Sequence, residues 1–183
     1  MAGAHPVPDP PPAGPARTCC TLKSVPNPIH LSGADFDSLE AMMRAHAEAA
    51  VQIASNDHGM VLDYSPESIP SLETILAARS PIPDDSIEDA TRLWGAYFGE
   101  VFRHRYPAEW IMAVYPSQQN SGRNNPSPDV AMPALDIGGS QVYPLLKIVR
   151  RLSLGPTEDL VVFYAKVSTA LDARPKKEAA PPI

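Results

Sequence analysis

Glu100 and His104 stand one helical turn apart, so both side chains can reach the same ion or the same substrate proton. The simpler reading is an exposed pair on the polar side of a helix. A metal site needs a third and usually a fourth ligand, and no HExxH, CxxC or clustered His-Asp pattern supplies one, so no metal is expected. Asp63, Glu109 and Asp136 are the other carboxylates close to core elements. Two carboxylates facing each other across a cleft could do the acid and base work of a hydrolase, but the spacing forces no pair together. Asp63, just before Tyr64-Ser65-Pro66, has the simpler role of bonding to the backbone of a turn. The catalytic candidates are therefore Asp63, Glu100, His104 and Asp136. The chain has no Gly-x-Ser-x-Gly elbow, P-loop or dinucleotide fingerprint, and no cofactor is expected. Gly138-Gly139-Ser140 precedes a strand where a phosphate cradle would precede a helix, so it reads as a tight hairpin.

Lys147, Arg150 and Arg151 form a basic face on one helix, to which Arg103 and Arg105 can add. Such a face either recognises a protein partner with an acidic surface or is a solvated helix side. His46 and His58 read as solvent-facing or end-of-helix residues.

The element that must position these groups is the helix from Ser86 to Tyr106. Ile87, Ala90, Trp94, Tyr97, Phe98, Val101 and Phe102 fall on one apolar stripe, Ser86 and Asp89 have capping-box spacing, and Pro107 stops the helix. Gly95 and Gly99 lie one turn apart beside the stripe, where glycine costs about 1 kcal/mol relative to Ala, so both are expected to admit another backbone. An earlier helix is expected over Leu31–Ser55, capped by Ser32 or Asp35 and ended by Asn56-Asp57-His58-Gly59. Gly59–Tyr64 reads as a short strand. Ser65-Pro66 then opens a helix that buries Ile69, Leu72, Ile75 and Leu76, with Pro70 distorting its start. Glu109–Tyr115 is apolar on both faces and reads as a central strand covered on both sides. Ala131–Ile137 and Gln141–Tyr143 are two strands around the glycine turn. Pro144 opens a helix with Leu145, Leu146, Ile148, Val149 and Leu152 inward and Lys147, Arg150 and Arg151 outward. Thr157 is expected to cap a last helix with Leu160, Tyr164, Val167 and Leu171 as its stripe.

The run Gly95-Ala96-Tyr97-Phe98-Gly99-Glu100-Val101-Phe102-Arg103, followed by Trp110, resembles a bacterial family of unknown function in which a Gly-x-Tyr-x-Gly-Glu helix precedes a tryptophan strand. Asp63-Tyr64-Ser65-Pro66 and the proline-led helix after the hairpin extend the likeness over roughly Gly59 to Leu171. It departs at Pro107-Ala108, where a glycine-rich turn is expected. The resemblance implies a bacterial protein and carries no activity with it.

At 183 residues the chain is long enough for one domain with a sizeable core. Many of its 22 prolines crowd residues 1–28, a stretch with few large apolar residues, which reads as a disordered leader. One domain is expected over residues 29–172, with a flexible loop at 116–130 and a flexible tail at 173–183. No basic and apolar signal peptide and no membrane-length apolar run is present, so a cytoplasmic protein is expected. The formal charge of −6 argues against a nucleic-acid binder. Adjacent Cys19 and Cys20 read as reduced surface thiols or, after air oxidation, an intermolecular disulfide.

The expected fold is α+β: a small antiparallel sheet of three to four strands packed with about five helices. The leading functional expectation is a non-enzymatic protein-binding module, an adaptor or inhibitor of another protein. A small hydrolase and a structural subunit of a larger assembly are the competitors.

Overall fold

A computed structural model of the chain describes residues 36–79, 86–115 and 130–174. The expectations for the leader, Cys19 and Cys20, the loop from 116 and the tail from 175 lie outside the described residues.

The fold is α+β, with five α-helices and a three-stranded antiparallel sheet among the described residues. Helix α1 spans Leu39–His58, α2 Ile69–Arg79, α3 Ile87–Arg105, α4 Pro144–Leu154 and α5 Leu160–Asp172; strands β1, β2 and β3 span Glu109–Tyr115, Val130–Ile137 and Ser140–Val142. No helix among the described residues is long and apolar enough to cross a membrane.

Helix α3 is the central element, packed between α1 and α4. It is covered all round where one apolar stripe is expected: every residue from Leu93 to Phe102 is buried. Its neighbours can approach because the facing positions are small. On α1 the inward row is Met43, Ala47, Ala50 and Ala54, all fully buried. On α3 itself, a Cβ added at Gly95 would sit 2.9 Å from Leu145 Cα, so the start of α4 rests on bare backbone. Gly99 is different from expectation. The group that fills its notch is the Trp110 indole of β1, not a backbone.

Helix α1 starts later than the sequence suggests. Ser38 caps it, its Oγ accepting from Ala41 N–H at 3.1 Å, and Gly59 in the left-handed region (φ 62°) ends it. The Gly59–Tyr64 segment is not a strand. Leu62 turns into the core, Val61 faces solvent, and Tyr64 takes a positive φ that no extended strand accommodates. Pro66–Ser68 forms a 3-10 turn that leads into α2, so Pro70 falls in the first turn of the α-helix, where its missing N–H costs nothing.

The strand order is β1-β2-β3, which makes β1 an edge strand and corrects the central placement expected for it. Met112 and Val114 remain more than half exposed at its far end. Pro133 sits in β2 opposite Met112, beyond the stretch that pairs with β3, so its missing N–H breaks no ladder bond on that side. Gly138 and Gly139 both have positive φ (59° and 82°), as a type I′ hairpin turn requires. Gly155 ends α4, a 3-10 turn covers Gly155–Glu158, and Asp159 rather than Thr157 caps α5 by accepting from Val162 N–H at 2.8 Å.

Candidate functional site

Glu100 does not lie on the polar side of α3. It is buried, and its Oε1 accepts from Trp110 Nε1 at 2.8 Å and from Arg103 Nη1 at 3.0 Å. Arg103 also donates to Glu40 Oε1 of α1 at 2.8 Å and to the Ala108 carbonyl at 3.2 Å. Glu40 takes a further bond from Arg44 at 2.9 Å, and the bond from Arg103 holds its carboxyl below the ordinary range. The chain Arg44–Glu40–Arg103–Glu100–Trp110 ties α1, α3 and the start of β1 together. A polar hollow of about 440 Å³ beside it reaches His104. No hydrogen bond joins Glu100 to His104, whose exposed ring instead stacks on Tyr64 at 4.8 Å. His46 is corrected as well: it is buried on α1, with Nδ1 2.7 Å from the Met42 carbonyl.

Tyr64 lies between two rings, Tyr97 at 5.2 Å and His104 at 4.8 Å, with φ at 64°. A bulky residue in the left-handed region costs on the order of 1–2 kcal/mol, so the surrounding contacts must hold it there. They form a consistent proton chain. Tyr64 N–H donates to Tyr97 Oη at 3.1 Å, and Tyr97 Oη lies 2.5 Å from Ser68 Oγ, which itself donates to the Ser65 carbonyl at 2.6 Å. With the Ser68 proton so committed, Tyr97 is the donor to Ser68. Burial pushes the Tyr64 phenol up to about 12, so it stays neutral and offers no base. Asp63 has the turn role: its Oδ1 accepts from Ser65 Oγ at 2.6 Å and Ser65 N–H at 3.0 Å, and those bonds lower its pKa. Asp136 likewise serves its hairpin, accepting from Gly139 N–H at 2.7 Å. It pairs across the sheet with Glu109.

The basic residues depart furthest from expectation. Lys147 and Arg151 are buried, not outward. Arg151 Nε donates to Glu73 Oε2 of α2 at 2.7 Å, while Glu73 Oε1 takes the Leu160 N–H at the start of α5. Lys147 Nζ lies 2.8 Å from Glu158 Oε2 and 5.1 Å from the centre of the Phe163 ring. Arg150 reaches Glu158 Oε1 at 2.7 Å, and Arg105 reaches Asp172 at 2.6 Å. All five basic candidates thus have carboxylate partners within the chain. Among the described residues no group of three or more His, Cys, Asp or Glu side chains is placed to hold a metal ion.

No family model matches the chain, and no curated protein or solved structure matches it. The site must be read from its own geometry.

A second concavity, more apolar than the hollow beside Glu100, is a groove of about 520 Å³ between β3, α4 and α5. Val142, Leu146, Phe163, Val167 and Leu171 supply its apolar lining, and Tyr115 and Tyr143 meet edge to face at 5.1 Å beside it. Arg150, Arg174, Lys147 and Glu158 supply the charge. The sequence reading placed Val167 and Leu171 on the core stripe of α5, but the fully turned-in row is Leu160, Tyr164 and Ser168. A second row at helical spacing, Phe163, Val167, Ala170 and Leu171, was available in the sequence as the signal for this groove.

Glu158 is the carboxylate on which the groove's cations converge. Bonds from Arg150 and then Lys147 hold its pKa at about 2. A carboxyl lowered in the folded state contributes stability that is full above its unfolded value and is lost as pH falls through the folded one. Urea midpoints of the wild type should therefore decline as pH drops from about 4.5 towards about 2. Glu158→Gln should be less stable near neutrality and should show a shallower decline over the same window.

Proposed function

We propose that the protein is a non-enzymatic protein-binding module, an adaptor or inhibitor of another protein, that receives its partner in the groove between β3, α4 and α5. The observation that carries this reading is an apolar concavity that no described residue fills, of a size within the range of about 300–1,000 Å³ usual for ligand sites. The ionisable residues elsewhere support it from the other side. Asp63 and Asp136 serve turns, Glu100 is engaged by Trp110 and Arg103, and His104 packs on an aromatic ring. A hydrolase acting through those four residues would need at least one of the carboxylates released from its present bonds.

Affinity capture from the source cell, run in parallel with wild type and Ala170→Trp, tests the proposal. Ala170 is exposed and lines the groove, so the indole can occupy the space without disturbing the core. A protein recovered in stoichiometric amount by the wild type should fall about tenfold or more with the variant. Equal recovery by both would remove the groove as the binding site.

A further inference from the structure

We propose that the groove takes its partner as an extended peptide segment laid along β3 as a fourth strand, with an apolar side chain seated among Phe163, Val167 and Leu171 and acidic side chains facing Arg150 and Arg174. The proposal rests on the binding-module reading and specifies the chemistry of the partner.

The first argument is the shape of the lining. A groove over one face of a strand meets every second residue, because side chains alternate. Here Ser140, Gln141, Val142 and Tyr143 all line it in succession, so the groove runs along the strand edge. Among the described residues that edge is unpaired, since β3 is last in the sheet order. The second argument is the ladder. The type I′ turn closes with Ser140 N–H on the Ile137 carbonyl, making Ile137–Ser140 a hydrogen-bonded pair. Bonded and non-bonded pairs alternate in an antiparallel ladder, so Asp136–Gln141 is a non-bonded pair. The N–H and C=O of Gln141 therefore point away from β2 into the groove, the donor and acceptor an added strand uses.

The third argument is charge. Among the described residues, Lys147, Arg150 and Arg174 face the groove against a single carboxylate, Glu158. Lys147 is buried against Glu158 and Phe163, but Arg150 keeps half of its side chain exposed. The excess is positive on a chain whose formal charge is −6, so the groove attracts an acidic segment that the net charge of the chain does not. One outward Gln141 pair is a short ladder. The side-chain seat and the cations must supply the rest of the selectivity.

The test uses the full chain and an array of short peptides, each carrying Leu, Ile, Val or Phe beside two Asp or Glu residues, with counterparts in which Lys replaces the acids. Amide exchange at Gln141 is followed by NMR. The expected result is binding of acidic members over lysine counterparts, slowed exchange of the Gln141 N–H, and about tenfold weaker binding when one peptide N–H facing β3 is methylated. Arg150→Glu should weaken the acidic peptides about five- to tenfold and favour the lysine ones. Groove binding with Gln141 exchange unchanged and no effect of methylation overturns strand addition, while the binding-module reading stands. Equal binding of lysine peptides, or of none, overturns the proposed chemistry. Gln141 protection that grows with protein concentration alone makes a second copy the occupant and also overturns it. Failure of the module reading would show separately, as capture unaffected by Ala170→Trp.

Discussion

Gly99→Leu should lower the free energy of unfolding by about 2–4 kcal/mol, read as a fall in denaturant midpoint at unchanged slope. A Cβ at this position falls on the six-membered ring of Trp110, closer than real Cβ atoms approach, and Pro144 lies just beyond it. The indole cannot yield without loss, because its N–H is bonded to the buried Glu100 at 2.8 Å. Moving the ring leaves that carboxylate with a weakened set of donors as well as a disrupted core contact. Helix propensity acts the other way, since replacing a glycine inside a helix gains up to about 1 kcal/mol. The steric term is the larger of the two, so the sign is destabilising. A variant more stable than the wild type would sink the account of Gly99 as the seat of Trp110.

The helices and the hairpin were legible in the sequence because their signals are local. Glu109–Tyr115 is a run of apolar strand formers bounded by Pro107 and Pro116, and it occupies the bounds read for it. Its place in the sheet was not legible. An apolar run states only that both faces tolerate burial; β1 lies at the sheet edge, and Met112 and Val114 end up exposed because no described residue covers their face at the far end of the strand. Gly59–Tyr64 failed for a related reason: Met60-Val61-Leu62 has strand composition but no strand to pair with, and the chain turns at Tyr64 instead.

The site residues were misplaced where their partners are distant in sequence. On a helical wheel Glu100 and His104 share a polar flank, and nothing on the wheel reveals that an indole ten residues later needs an acceptor. Lys147 and Arg151 look outward for the same reason. The carboxylate that turns Arg151 inward comes from Glu73, seventy-eight residues away. Asp63 was readable as a turn residue because its partner lies two positions on, whereas Asp136, read only as a candidate carboxylate, turns out to serve its own hairpin three positions on.

Glu73→Ala should be among the most damaging substitutions of a polar residue, costing about 3–5 kcal/mol. Arg151 is almost wholly buried, and Glu73 is its carboxylate partner. Removing Glu73 leaves a guanidinium without compensation in a poorly solvated site, and Arg151 Nη1 already lacks a hydrogen-bond partner. The same substitution takes the acceptor from Leu160 N–H, one of the first amides of α5, and so loosens the helix that forms one wall of the groove. The origin of the loss can be separated by a second change. Glu73→Leu combined with Arg151→Met removes both charges and fills similar volume, so the pair should recover most of the stability lost by Glu73→Leu alone, because breaking a buried pair costs more than replacing it. Urea melts of the wild type, both single variants and the double variant measure the coupling directly. Simple addition of the two single effects would show that Glu73 acts through α5 and not through Arg151.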